Sequence, residues 1–288
     1  MKVARELGEL EVQPRAVALG TFDGVHLGHR RVLDAAVAAG ELPTVVTFDP
    51  HPRVALGYGV ELLATLERRL ELIAEGGIRE TLVVDFDLEL AQLEAEEFVR
   101  RVLEPIGTQI VVAGANFRFG RGRTGDLELL GRLGIEVRAV PLVENVSSTR
   151  IRDLLRGGEV ARAARLLGRP PELEGTVVAG DARGGTLGFP TANLRPDPEL
   201  LVPGYGIYAG EADGHRAAIS LGTNPHYGGG ERRIEAFLLD FHGDLYGRRL
   251  TLQLWERLRD ERAFESEDDL IAQIGRDVEA TRQAEPPA

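Results

Sequence analysis

Ala16-Val17-Ala18-Leu19-Gly20-Thr21-Phe22-Asp23-Gly24-Val25-His26-Leu27-Gly28-His29 runs from an uncharged apolar stretch through a glycine-spaced turn into a helical pattern. A strand that turns at once into a helix leaves unpaired helix N–H groups at the strand's carboxyl end, where the dipole attracts anions. His26 and His29 stand three apart and share one face of a helical turn. Two imidazoles there can stabilise charge on a transferring phosphoryl group, and the glycines let backbone approach a ligand. Either histidine alone reads as a solvated turn residue. The combination points to phosphate chemistry, with Gly20, Phe22, Asp23 and Gly28 as candidate ATP and phosphate contacts.

The same alternation continues to about residue 150. Runs at 16–20, 43–48, 81–85, 109–113 and 135–140 are short and Val/Ile-rich, as strands buried on both faces are. Between them Leu63, Leu66, Leu70 and Ile73, then Leu93, Phe98 and Val102, recur at helical spacing. Five strands separated by helices predict a doubly wound, Rossmann-like α/β layer with ligands at the strands' carboxyl ends. Helical stretches to about Arg156 and over 159–167 are stopped by Gly168-Arg169-Pro170-Pro171, where the domain boundary is expected: 1–168 and 169–288. Beyond it, runs at 175–180, 206–210, 217–221, 233–241 and 250–255 alternate with Gly/Pro/Asn turns and predict a small antiparallel β-barrel. A closing helix is capped by Ser266, with Leu270, Ile271, Ile274 and Val278 expected to face inward.

Composition narrows the chemistry. At 288 residues and 43% apolar content the chain supports about two cores of ~150 residues each. A net charge of −12 argues against nucleic-acid and membrane-surface partners and for a small molecule. With no cysteine, thiolate nucleophiles and zinc ribbons are excluded. Lys2 is the only lysine and lies in a terminus expected to fray, so P-loop, kinase-strand and Schiff-base lysines are absent. Phosphate charge must be met by Arg, His, helix N-termini and a metal. No run approaches the ~18 apolar residues of a membrane span, and a cytoplasmic monomer or weak homo-oligomer is expected.

Further motifs add to this. Ser147-Ser148-Thr149-Arg150-Ile151-Arg152 opens a helix with hydroxyl caps and an arginine one turn in, an ordinary N-cap alone but an anion site if paired with the histidine turn. Gly120-Arg121-Gly122-Arg123-Thr124-Gly125 matches G-x-G-x-x-G out of context and reads as a flexible basic loop, whereas Asn116 and Phe117 emerge just past a strand end, where ligands bind. A glycine-rich loop carrying Gly180, Arg183 and Gly188 precedes Phe189-Pro190-Thr191-Ala192-Asn193, whose Thr191 hydroxyl and Asn193 carbonyl offer hard oxygens to Mg²⁺. Strand alternation puts Glu235 with Phe237, Leu239 and Phe241 on the more apolar face, which suits either a general base or a carboxylate paired with Arg232 or Arg233. Trp255 and Phe264 can flank a flat aromatic ligand or belong to the core.

On these residues, with Thr47-Phe48-Asp49-Pro50-His51-Pro52, Gly222-Thr223-Asn224-Pro225 and Leu239-Asp240-Phe241 through Gly247, the chain resembles the bacterial bifunctional riboflavin kinase/FMN adenylyltransferases, or FAD synthetases. The resemblance implies two transfers from ATP with Mg²⁺. In the C-terminal domain Glu235 would activate the ribityl hydroxyl of riboflavin, with Thr191 and Asn193 at the metal, to give FMN. In the N-terminal domain the FMN phosphate would attack a second ATP, with His26 and His29 stabilising the transition state and Ser147, Ser148 and Arg152 holding phosphates, to give FAD and pyrophosphate. Flavin contacts would come from Asn116, Phe117, Trp255 and Phe264. Asn116 stands where many members have Asp, and His226-Tyr227 where a small residue and Phe are common. A one-activity enzyme and a non-catalytic flavin or nucleotide carrier are the competing readings.

Overall fold

The computed structural model describes residues 1–179, 189–223 and 232–287. By contacts the chain divides into two bodies: Met1–Val60 with Leu66–Ser147, and Glu61–Thr65 with Ser148–Ala288.

The first body is a six-stranded parallel sheet of β1 (Lys2–Ala4), β2 (Arg15–Leu19), β3 (Leu42–Asp49), β4 (Glu80–Asp85), β5 (Thr108–Gly114) and β6 (Glu136–Val140), in the order β1-β4-β3-β2-β5-β6. Every residue of β2 is buried, as a central parallel strand requires. Alternation divides the sheet between two cores: Val17, Leu19, Val46, Leu82 and Val111 face one, and Ala16, Ala18, Val45, Ile110 and Val112 the other. Helices α1 (Leu27–Val37), α2 (Pro52–Ala55), α3 (Leu66–Glu75), α4 (Leu88–Ala91), α5 (Ala95–Phe98) and α6 (Leu127–Arg132) complete the layer. The chain winds outward through β3 and β4 and returns on the other side of β2, so the switch point lies between β2 and β5.

The sheet has one strand more than the pattern shows. The N-terminus pairs with β4, Lys2 opposite Glu80, and buries Ala4 rather than fraying; three residues are too few for period-2 alternation to register. Leu63 is not helical, since α3 begins at Leu66. The 120–125 loop is not free either. Phe119 bridges Gly125, Arg121 N–H donates to the Leu93 carbonyl at 2.8 Å, and Arg121 pairs with Glu94 at 2.8 Å.

The second body is a closed antiparallel barrel of β7 (Glu172–Val178), β8 (Ala192–Pro196), β9 (Gly206–Ala212), β10 (His215–Thr223), β11 (Arg232–Leu238) and β12 (Arg249–Arg259), in the order β10-β11-β8-β7-β12-β9. Leu173, Leu194, Tyr208, Ile219, Ile234 and Leu252 fill it. Strand β8 lies where the sequence shows only a proline-bounded loop. Helices α7 (Ser148–Arg156) and α8 (Val160–Leu167) are counted with this body, although the proline break lies after them; α8 packs on β12. Ser266 caps α9 (Glu267–Gln283) by accepting the Asp269 N–H at 3.1 Å. Its most buried positions are the polar Gln273, Asp277 and Thr281, while Leu270, Ile271, Ile274 and Val278 are only half-buried. That inversion follows from Arg259, which reaches Asp277 at 2.7 Å and gives the helix a charged partner to face.

Candidate active sites

The turn after β2 stands at the switch point. Three of its residues hold positive φ: Phe22 at 53°, Gly24 at 79° and Val25 at 37°. For a β-branched valine this is a true outlier, and each such non-glycine residue costs about 1–3 kcal/mol. What the strain achieves is the placement of His26 at the head of α1, where its Nδ1 accepts the His29 N–H at 3.2 Å. The two rings then stack at 3.6 Å and 12°. Gly28 gives the ring room here, since a Cβ would lie a tight 3.1 Å from the His26 ring. Phe22 closes edge-on to His29 at 5.3 Å, and Asp23 is buried beside the turn.

His29 Nδ1 is shut off from solvent and has no hydrogen-bond partner among the described residues. Burial first, then the His26 ring and the Arg69 guanidinium, hold its imidazole well below the ordinary histidine range. At neutral pH the ring is therefore uncharged, a donor awaiting an acceptor rather than a fixed cation.

The end of β5 supplies the neighbouring edge. Asn116 is exposed in the turn that Phe117 N–H closes on the Gly114 carbonyl at 2.8 Å, and Phe117 stacks on Phe119 at 5.9 Å. From β3, His51 is buried and caps α2 by accepting the Arg53 N–H at 3.1 Å. Ser147 is counted with the first body and Ser148, Thr149 and Arg152 with the second. Arg152 is buried, and its Nε donates to the Glu61 carbonyl at 2.7 Å.

In the barrel, Glu235 is not on the apolar face. Ile234, Ala236 and Leu238 point into the core, and Glu235 with Phe237 lies half-exposed outside. The sequence pattern misleads because small alanines fill the interior while aromatics sit outside. Register places Ser220, Glu235 and Asn193 in one cross-strand row over β10, β11 and β8. Arg233 donates to Glu235 Oε1 at 2.6 Å, and the Thr191 hydroxyl stands 3.5 Å from the same oxygen. Phe189 packs edge-on to Phe237 at 5.5 Å on this face. The expected arginine pair is thus present, but within a polar row that a simple strand-end ion pair does not need. Gly180, Arg183, Gly188 and the 224–227 motif lie outside the described residues.

Trp255 is buried: it packs with Ala209 and Ala284, and the Arg216 guanidinium covers its ring at 5.3 Å. Phe264 is half-buried, with Arg259 and Arg262 over its ring at 5.8 and 5.0 Å. Three residues of these sites escape sequence reading. His51 was findable from its position just past a strand end; Ser220 emerges only from register, and Arg69 looks like one more surface arginine on a helix.

Residues 9–152 match the family model described as FAD synthetase, and residues 167–285 the one described as riboflavin kinase. The chain belongs to the bacterial bifunctional riboflavin kinase/FMN adenylyltransferase family. It is 36% identical to the Listeria monocytogenes protein of that name over 93% of this chain and 91% of that one. The Escherichia coli K12 protein of the same name is also 36% identical, over 98% and 97%. A solved structure titled as a macrolide-efflux protein from Streptococcus pneumoniae superposes with a TM-score of 0.88, at 32% identity, covering 97% of this chain and 98% of that one. Among the described residues no helix is long and apolar enough to cross a membrane. With both domains in one chain, the protein is a transferase of both activities, using ATP to convert riboflavin to FMN and FMN to FAD.

Proposed function

We propose that residues 1–168 carry adenylyl transfer and residues 169–288 carry phosphorylation, each at its own site. The observation that carries this is His29: an uncharged imidazole stacked on His26 at the switch point, its Nδ1 shielded from solvent and without a partner among the described residues, suits a phosphate oxygen. In that site the phosphate oxygen of FMN attacks the α-phosphorus of ATP and pyrophosphate leaves. His26 and His29 meet the charge that builds on the α-phosphoryl oxygens, and Gly20, Phe22, Asp23 and Gly28 shape the cradle. Ser147, Ser148, Thr149 and Arg152 hold the remaining phosphates, and Asn116 and Phe117 contact the flavin.

In the barrel, Glu235 accepts the proton of the ribityl hydroxyl as its oxygen bonds to the terminal phosphorus of ATP and ADP departs. Arg233 orients the carboxylate through Oε1. The Thr191 hydroxyl and Asn193 amide oxygen flank Glu235, a hard-oxygen pair that fits Mg²⁺. When bound, Mg²⁺ supplies neutralisation of the triphosphate charge. Gly180, Arg183 and Gly188 are further phosphate-binding residues, and Trp255 and Phe264 contact the flavin. The working enzyme is a cytoplasmic monomer or weak homo-oligomer.

The test is a time course with riboflavin, ATP and Mg²⁺, the flavins resolved by chromatography. FMN is expected first and FAD after it. FMN with no FAD would reduce the chain to a kinase, and tight flavin binding without turnover would make it a carrier.

A further inference from the structure

Arg69 lies one turn into α3, with only 3% of its surface exposed. Its Nη1 donates to the Thr21 carbonyl at 3.0 Å and its Nη2 to the Phe48 carbonyl at 3.0 Å. The first of these carbonyls belongs to the histidine turn and the second to the end of β3. The Thr47 hydroxyl donates to the Thr21 carbonyl as well, at 3.2 Å. The guanidinium is thus a crosspiece between two strand ends, fixing the backbone directly before the positive-φ residues that set His26 and His29. Asp23, Asp49 and Glu67 answer its charge, with Asp49 at 4.0 Å, while His26 and Arg69 are the charged or titratable groups acting on His29.

A buried arginine spent on two carbonyls is more than solubility demands, since its desolvation must be offset by those bonds. We propose that Arg69 is a positioning residue for adenylyl transfer, tying the histidine turn to the end of β3 so that His26 and His29 are held in place. The proposal rests on the assignment of adenylyl transfer to the His26/His29 site. It fits the geometry in two ways: lysine can supply the charge but not the two-carbonyl span, and methionine supplies neither.

Arg69→Met and Arg69→Lys separate these parts. In Arg69→Met the kcat for FMN to FAD is expected to fall about 10- to 100-fold, as for a displaced catalytic group. Riboflavin phosphorylation by the same preparation is expected to stay within about twofold, which shows that the chain is folded. By NMR of labelled histidine, the His29 ring is expected to titrate at higher pH in Arg69→Met than in the wild type. Arg69→Lys should restore the low titration while leaving the rate depressed. An unchanged FAD rate, an unmoved His29 titration, or an equal loss of both activities in both variants would overturn the proposal. If His29→Ala instead leaves FAD formation intact, the site assignment fails, and the titration still decides whether Arg69 governs His29.

Discussion

The turn at the end of β2 and the polar row on the barrel each gather ionisable side chains without a lysine, and they are built by opposite means. In the turn, backbone does the positioning: three positive φ angles, an N-cap and a glycine pressed against an imidazole leave the histidines one arrangement. On the barrel, register does it. Ser220, Glu235 and Asn193 are neighbours only because three antiparallel strands align, and the carboxylate is oriented by one arginine. The first holds an uncharged ring whose Nδ1 is shielded from solvent; the second holds a part-exposed ion pair. A neutral imidazole is sensitive to protonation, whereas a carboxylate paired with an arginine stays ionised at neutral pH.

The sharpest way to break this contrast is Glu235→Gln. It should lower riboflavin phosphorylation about 10²–10⁴-fold, as loss of a general base does, while FMN to FAD proceeds as before. Loss of both in a folded protein would mean the two sites are not independent. His29→Ala should do the converse, lowering FAD formation from supplied FMN by about 10²–10³-fold with FMN synthesis retained, read in the same chromatographic assay.

A subtler effect separates the neutral ring from the ion pair. The folded pKa of His29 is depressed, so below the ordinary value of about 6.5 the unfolded chain binds a proton that the fold refuses. The penalty is absent above that pH and grows as pH falls towards the folded value. Thermal melts of the ligand-free protein should therefore lose Tm between neutral and mildly acidic pH more steeply in the wild type than in His29→Gln. Parallel slopes would mean His29 is not held neutral. Smallest of all, Ser266→Ala removes the α9 cap and should cost about 1 kcal/mol, a few degrees in Tm, with both activities unchanged.

How much was legible follows the same divide. The histidine turn is local, so its residues stand in order along ten positions of sequence, and the parallel layer announced itself through uninterrupted apolar runs. Glu235 was singled out, but its face was misjudged, because alternation gives two faces and only the closed barrel says which is inside. Strand β8 was hidden by Pro190 and by its short length. The polar stripe of α9 was misread because its partner, Arg259, lies outside the helix, on β12. Arg69 carried no signal at all: its bonds are to carbonyls, which every residue has.

Residues 61–65 leave the first body and are counted with the second, where the Thr65 hydroxyl bonds to Glu174, 109 residues later, and Leu62 N–H to the Glu199 carbonyl. On the ribosome this ordering has a cost in time. At ~5–20 residues per second, the five-residue strap emerges roughly 5–20 s before the strand that receives it. The nascent sheet is therefore made before Glu174 and Glu199 exist, and a gene severed at Gly168 would keep the Arg152 bond to Glu61 but lose the partners of Leu62 and Thr65.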